Sequence, residues 1–135
     1  MDYKKINIDD LEVLKKIVGP DFVFSDEEKL FEYSRDETED LSYRPEVVLK
    51  PKNTEQISKI VSYCNDKLIS ITPCGARTGL SGGSLPIKGG IALSTERLNS
   101  ILEIDERNLQ AKVEAGVVNQ VFKKLTPSAS NINYF

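Results

Sequence analysis

Twelve consecutive residues constrain this chain more than any others: Pro73-Cys74-Gly75-Ala76-Arg77-Thr78-Gly79-Leu80-Ser81-Gly82-Gly83-Ser84. They follow a short apolar run, Leu68-Ile69-Ser70-Ile71-Thr72, whose composition predicts a buried strand. Six of the eight glycines lie between Gly75 and Gly90. Glycine has no Cβ and lets another group approach the backbone closely. A loop of this kind exposes successive N–H groups, and Thr78, Ser81 and Ser84 add hydroxyls. Arg77 adds a planar fork suited to phosphate. A row of amides with one cation is the chemistry of a diphosphate cradle. The plainer alternative is a flexible surface loop. The spacing is neither G-x-G-x-x-G nor G-x-x-x-x-G-K-S/T, so neither of those nucleotide fingerprints applies.

The flanking sequence supplies a fold for this loop. Pro45 to Pro51 reads as a strand bracketed by prolines. Asn53 with Gln56 predicts a helix cap, and Ile57, Ile60, Val61 and Cys64 fall on one helical face. With the strand at 68–72 this predicts a β-α-β unit with parallel strands and a right-handed crossover. The glycine loop then leaves the carboxyl end of the second strand, where α/β sheets place ligands. Ile91-Ala92-Leu93-Ser94 is a further buried strand.

From Ile101 the apolar period changes to two. Leu102 and Ile104 alternate with Glu103 and Asp105, Glu106-Arg107-Asn108 turns the chain, and Ala111, Val113 and Ala115 alternate with polar neighbours. That pattern predicts a hairpin over 101–115, apolar inside and polar outside. A helix is expected over 117–125, and the apolar stretch from Asn131 to Phe135 ends as an interruption would. Ahead of the unit, Asp9-Asp10 caps a helix running to Val18, where Gly19-Pro20 stops it. Ser25-Asp26-Glu27-Glu28 opens a second short helix through Tyr33. Residues 34–41 are polar and aperiodic. They read as a solvated linker rather than a metal site, with a boundary near residue 43.

Composition narrows the function. The 135 residues, 39% hydrophobic and 29% charged, suit one globular domain rather than a disordered chain. No apolar run is long enough for a membrane helix, and the start lacks a signal-peptide core. Cys64 and Cys74 are too few for a disulfide framework and read as buried thiols, with the cytoplasm as the default compartment. Residues 1–45 carry thirteen acids against seven bases, and the remainder carries eight acids against eleven bases. The loop half is therefore mildly positive, suiting an anionic cofactor and falling far short of a nucleic-acid footprint. There is no histidine, hence no common general base or metal ligand; no catalytic residue and no metal site is assigned.

The run from Pro45 to Leu125 resembles the first half of the FAD-binding domain of the FAD-linked oxidases, the vanillyl-alcohol oxidase or PCMH type. Three stretches carry the resemblance: Arg44 to Pro51 followed by a helix, Pro73 to Gly83, and Leu98 to Asp105 leading to Val113-Glu114-Ala115-Gly116-Val117. The branch it most resembles is the D-2-hydroxyacid dehydrogenases: glycolate oxidase, D-lactate dehydrogenase and D-2-hydroxyglutarate dehydrogenase.

The resemblance implies an α+β fold with a small parallel β-α-β core and an antiparallel hairpin. Residues 1–43 would be a helical lead-in, and 44–135 an incomplete first subdomain. It also implies an FAD pyrophosphate held by loop amides, with contacts from Cys74, Gly75, Ala76, Arg77, Thr78, Gly79 and Leu80. Gly82, Gly83 and Ser84 would lie nearer the flavin. Relatives with covalent flavin carry a histidine where this chain has Thr78, so FAD would be non-covalent. The family more often has arginine then glycine where this chain has Cys74 and Arg77. The second flavin loop, cap domain and histidine metal ligands of relatives have no counterpart here. The chain is therefore expected to be an amino-terminal fragment, inactive alone, whose exposed apolar surface favours self-association. The other reading is a small binding or scaffold subunit that completes a flavin site with a separate partner chain.

Overall fold

The structure is a computed structural model that describes residues 2–120. Helix α1 spans Ile8–Val18, and a 3-10 turn over Pro20–Phe22 leads into a two-residue strand β1, Val23–Phe24. Helix α2 covers Glu27–Glu32. Strand β2 (Val47–Leu49), helix α3 (Thr54–Lys67), strand β3 (Ile71–Cys74) and strand β4 (Ile91–Ser94) follow. Strands β5 (Ile101–Asp105) and β6 (Gln110–Val113) complete the described elements.

The expected α+β architecture is present: a four-stranded, mostly parallel sheet and a separate antiparallel hairpin. The sheet order is β1-β2-β4-β3. Strands β2 and β3 are parallel as expected but do not touch, because β4 lies between them and pairs with both. Strand β1, too short to leave a periodic trace in sequence, adds antiparallel to β2 through Val23–Leu49 and Phe24–Val48. The lead-in thus contributes a strand to the same sheet.

Alternation along the buried strands divides the core into two faces. Val47, Leu49, Ile91 and Leu93 point one way, onto Leu14 and Val18 of α1 and Ile60 and Cys64 of α3. Val48, Ala92 and Cys74 point the other way, onto Leu30 and Tyr33 of the α2 region. All of β2 and β4 is buried, as expected for strands covered on both faces.

Local chemistry explains the helix ends. Helix α1 is capped by Asn7, not Asp9: the Asn7 side chain accepts from the Asp10 N–H at 2.9 Å. Asp10 answers by accepting from the Asn7 N–H at 3.0 Å, which makes a reciprocal capping box. Asp26, rather than Ser25, caps α2 by accepting from the Lys29 N–H. Asn53 caps α3 as expected, accepting from the Gln56 N–H at 2.9 Å. At the other end of α3, Leu68 turns left-handed (φ 57) instead of opening a strand. The Ile69 N–H still bonds back to the Cys64 carbonyl at 2.9 Å, so β3 begins only at Ile71.

The hairpin pairs Ile101 with Val113 and, past a bulge, Ile104 with Ala111. Its apolar face is not covered by the described residues: Leu102 is 56% exposed and Ile104 46%. The expected helix over 117–125 and the apolar stretch 131–135 lie largely or wholly outside the described residues.

Candidate functional site

Strand β3 ends at Cys74, and residues 75–90 form the connection to β4. Cys74 is fully buried, and its thiol contacts the carbonyls of Thr72 and Ser84 at 3.5 and 3.4 Å. Burial pushes this thiol up to about 11. The loop then rises over the carboxyl end of the sheet and surrounds an open groove of about 380 Å³. Gly75, Ala76, Arg77, Thr78, Gly79, Leu80, Gly83 and Ser84 line it, joined by Pro73, Ser81 and Asp36. Of the residues expected at the site, Cys74 and Gly82 do not line the groove. Cys74 faces the core, and Gly82 turns its N–H to the Thr38 hydroxyl at 2.8 Å.

Two kinds of glycine occupy this loop. Gly82, Gly89 and Gly90 have φ between 67 and 69, a region costly for other residues. Gly75, Gly79 and Gly83 do not, and a Cβ built on any of them meets nothing within 4 Å. Neither backbone conformation nor packing inside the chain requires glycine at these three positions. Open space in front of a bare backbone is what an incoming ligand group needs. Among the described residues, no hydrogen bond occupies the backbone N–H groups of residues 75–81. The groove thus offers unclaimed donors along glycine-lined backbone, a fit for a phosphate-bearing group.

Arg77 lines the groove and also has partners within the chain. Its guanidinium pairs with Glu32 Oε1 at 2.9 Å and lies 3.9 Å from the centre of the Tyr33 ring. The side chain is only 19% exposed, although its backbone sits in the left-handed region at φ 57. Glu32 also receives the Lys29 ammonium. That hydrogen bond, followed by the charges of Lys29, Arg77 and Lys50, holds its carboxyl below the usual range against the opposing effect of burial. Tyr33 is fully buried, and its hydroxyl lies within hydrogen-bond distance, 3.0 Å, of both Ser94 Oγ and Glu96 Oε2, with one proton to share between them. Burial alone would raise the Glu96 carboxyl. Its hydrogen bonds from Lys50 and Tyr33 more than offset that, and it is lowered.

The segment 34–41, which reads in sequence as a solvated linker, is anchored in part to the loop. Ser34 is buried. Asp36 Oδ1 accepts from the Thr38 N–H at 2.9 Å, and its Oδ2 accepts from the Ser84 hydroxyl at 3.2 Å. The first of these, with the Ser84 contact, holds Asp36 below the usual carboxylate range. Sequence reasoning missed Asp36 and Thr38, because contacts across more than 40 residues leave no local period. Among the described residues, no three His, Cys, Asp or Glu side chains gather as metal ligands would.

Known proteins bear on this geometry. Residues 45–131 match the family model described as FAD binding domain. Glycolate oxidase subunit GlcD of Bacillus subtilis is 38% identical over 107 residues, spanning 79% of this chain and 23% of that protein. D-lactate dehydrogenase of Anaerostipes hadrus is 36% identical over 117 residues, spanning 86% of this chain and 24% of that protein. The chain therefore covers about a quarter of the length of these relatives. Among solved structures, alkyldihydroxyacetonephosphate synthase superposes with a TM-score of 0.81 at 17% identity, over 95% of this chain and 26% of that one. p-Cresol methylhydroxylase superposes at 0.79 with 22% identity, over 96% and 27%. At those identities the two structures establish the fold alone, which is that of the PCMH-type flavoenzymes.

Proposed function

Because the chain belongs to the FAD binding domain family, we propose that its glycine loop holds the pyrophosphate of non-covalent FAD in a D-2-hydroxyacid dehydrogenase or oxidase. The substrate class is that of the relatives: D-lactate, glycolate or D-2-hydroxyglutarate. The observation that carries the reading is the pairing of bare glycines Gly75, Gly79 and Gly83 with N–H groups that have no hydrogen-bond partner among the described residues, at the carboxyl end of β3. When bound, FAD supplies the redox chemistry by accepting hydride from the substrate α-carbon. The contribution of this chain is to bind and orient. The amides of residues 75–81 would hold the phosphate oxygens, and Thr78 and Ser81 would add hydroxyls. Thr78 offers no imidazole for attachment to the flavin, which supports a non-covalent cofactor.

Residues 1–43 are proposed as a lead-in and 44–135 as the incomplete first part of the FAD-binding domain, a division supported by the start of the family match at residue 45. The second wall of the cleft would come from the rest of the flavoenzyme, on the same chain or another. The exposed Leu102, Ile104 and Val113 of the hairpin support such a partner surface. Two unpaired, buried thiols support a reducing compartment such as the cytoplasm, and no described helix is long and apolar enough to cross a membrane.

Flavin titration tests the reading. The 135-residue chain should hold FAD weakly, since half a cleft leaves most of the ligand in water. The polypeptide carrying both walls should hold it firmly and lose it on Gly79→Val. Retention of FAD in that variant would refute the loop's assignment. Micromolar or tighter binding by the short chain would show that the second wall is dispensable.

A further inference from the structure

We infer that Glu32, Tyr33, Asp36 and Thr38 form a clamp that fixes the glycine loop before FAD arrives, and that Arg77 is the clamp's positioning residue rather than a phosphate ligand. The inference rests on the assignment of the loop to FAD.

Three contacts reach the loop from one short stretch of the lead-in. Glu32 takes the Arg77 guanidinium at 2.9 Å, Thr38 takes the Gly82 N–H at 2.8 Å, and Asp36 takes the Ser84 hydroxyl at 3.2 Å. The first grips the rising half of the loop, and the other two grip the returning half. The clamp is itself fixed to the sheet, because the Tyr33 hydroxyl bonds Ser94, the last residue of the central strand β4. The Arg77 guanidinium carbon lies 3.9 Å from the centre of that ring, and the group is paired with the Glu32 carboxylate. To reach a phosphate it would have to leave both partners. Its backbone sits at φ 57, a conformation that an arginine keeps only where its surroundings hold it. The side-chain anchors supply that hold. Among the described residues, the N–H groups of 75–81 have no internal partner while both flanks are tied down. A loop fixed in this way has less ordering entropy to lose when it takes a ligand.

The test has two arms. The first measures hydrogen exchange at the Gly82 N–H in the chain without flavin. Thr38→Val sets the level at which its acceptor is lost. Glu32→Ala and Arg77→Ala should each speed exchange by roughly ten- to hundredfold, the scale of a lost charge-assisted bond. Glu32→Ala combined with Arg77→Ala should be no worse than the more damaging single change. Unchanged exchange in both single variants overturns the clamp. Should Arg77→Ala unfold the chain, Glu32→Gln carries the same test, since it keeps the size of the side chain but removes the charge that pairs with Arg77.

The second arm measures FAD affinity in the intact flavoprotein, and its sign decides. A positioning role predicts that Glu32→Ala weakens FAD by about tenfold, and that Arg77→Lys is milder than Arg77→Ala. Stronger FAD binding after Glu32→Ala would mean that Glu32 restrains a phosphate-seeking arginine, which overturns the inference. Gly79→Val separates the two levels. If it leaves FAD affinity unchanged, the assignment of the loop to FAD fails, and the exchange arm alone decides whether the clamp exists.

Discussion

Gly116 passes so close to Thr95 that a Cβ on it would sit 1.9 Å from the Thr95 carbonyl oxygen. The Gly116 N–H donates to the Leu98 carbonyl at 2.7 Å in the same crossing. This is where the end of the hairpin meets the chain leaving the sheet, and the obstructing atoms are backbone that cannot swing aside. Gly116→Ala should therefore destabilise the chain by roughly 2–3 kcal/mol, the scale of overpacking. Gly90→Ala should behave alike, because its Cβ would meet the Ser70 carbonyl oxygen at 2.3 Å with φ at 67. Urea unfolding midpoints measure both, and an unshifted midpoint would contradict the crossing.

The groove glycines should behave in the opposite way. Gly79→Ala and Gly83→Ala place a methyl in open space, so stability should change by less than about 0.5 kcal/mol. FAD affinity should nonetheless fall, because the methyl occupies the approach to the backbone. A variant pair that loses stability but keeps FAD would reverse the assignment.

Acid should loosen the junction of lead-in and core. Burial would raise the Asp10 carboxyl, but hydrogen bonds from Lys4, the Asn7 N–H and Tyr63 prevail and lower it to about 2. Tyr63 donates to Asp10 at 2.7 Å and is pushed up to about 12, chiefly by that bond. A folded value below the unfolded 3.8 means the contribution of Asp10 is fully present above about pH 4 and is lost as pH falls through 2. The melting temperature should drop across that window. In Asp10→Asn the drop should be smaller, from a starting stability lowered by about 1–3 kcal/mol. Equal acid sensitivity in both proteins would remove Asp10 from the account.

The thiols should be silent in the folded chain. Burial pushes both Cys64 and Cys74 up to about 11. The folded state thus favours the protonated form, a contribution present below pH 9 and lost as pH rises through 11. A water-soluble disulfide reagent at about pH 8 should label neither until the chain unfolds. Rapid labelling of Cys74 under native conditions would show that its surroundings open.

Local signals made most of this fold readable. The i, i+3, i+4, i+7 row of Ile57, Ile60, Val61 and Cys64 announced α3, Asn53 marked its start, and the period of two after Ile101 announced the hairpin. The position of β4 between β2 and β3 was not legible, because strand order depends on which surfaces meet in three dimensions. The site divided in the same way. Glycine content marked the loop, but nothing near Arg77 indicated that Glu32 would claim its charge from 45 residues away. The hairpin's apolar residues were readable as a face, whereas their exposure depends on what else is present to cover them.

The placement of β4 has a consequence for the order of assembly. Strands β2 and β3 have no edge in common, so neither completes its parallel ladder until residues 91–94 have been made and slide between them. During synthesis the segment up to Cys74 can form helices and local caps, but the sheet must wait for its middle. The glycine loop is the tether that delivers this middle strand. A chain cut just before Ile91 would therefore lose the keystone of the sheet rather than a peripheral strand, leaving two separated apolar ribbons open to pairing with other molecules.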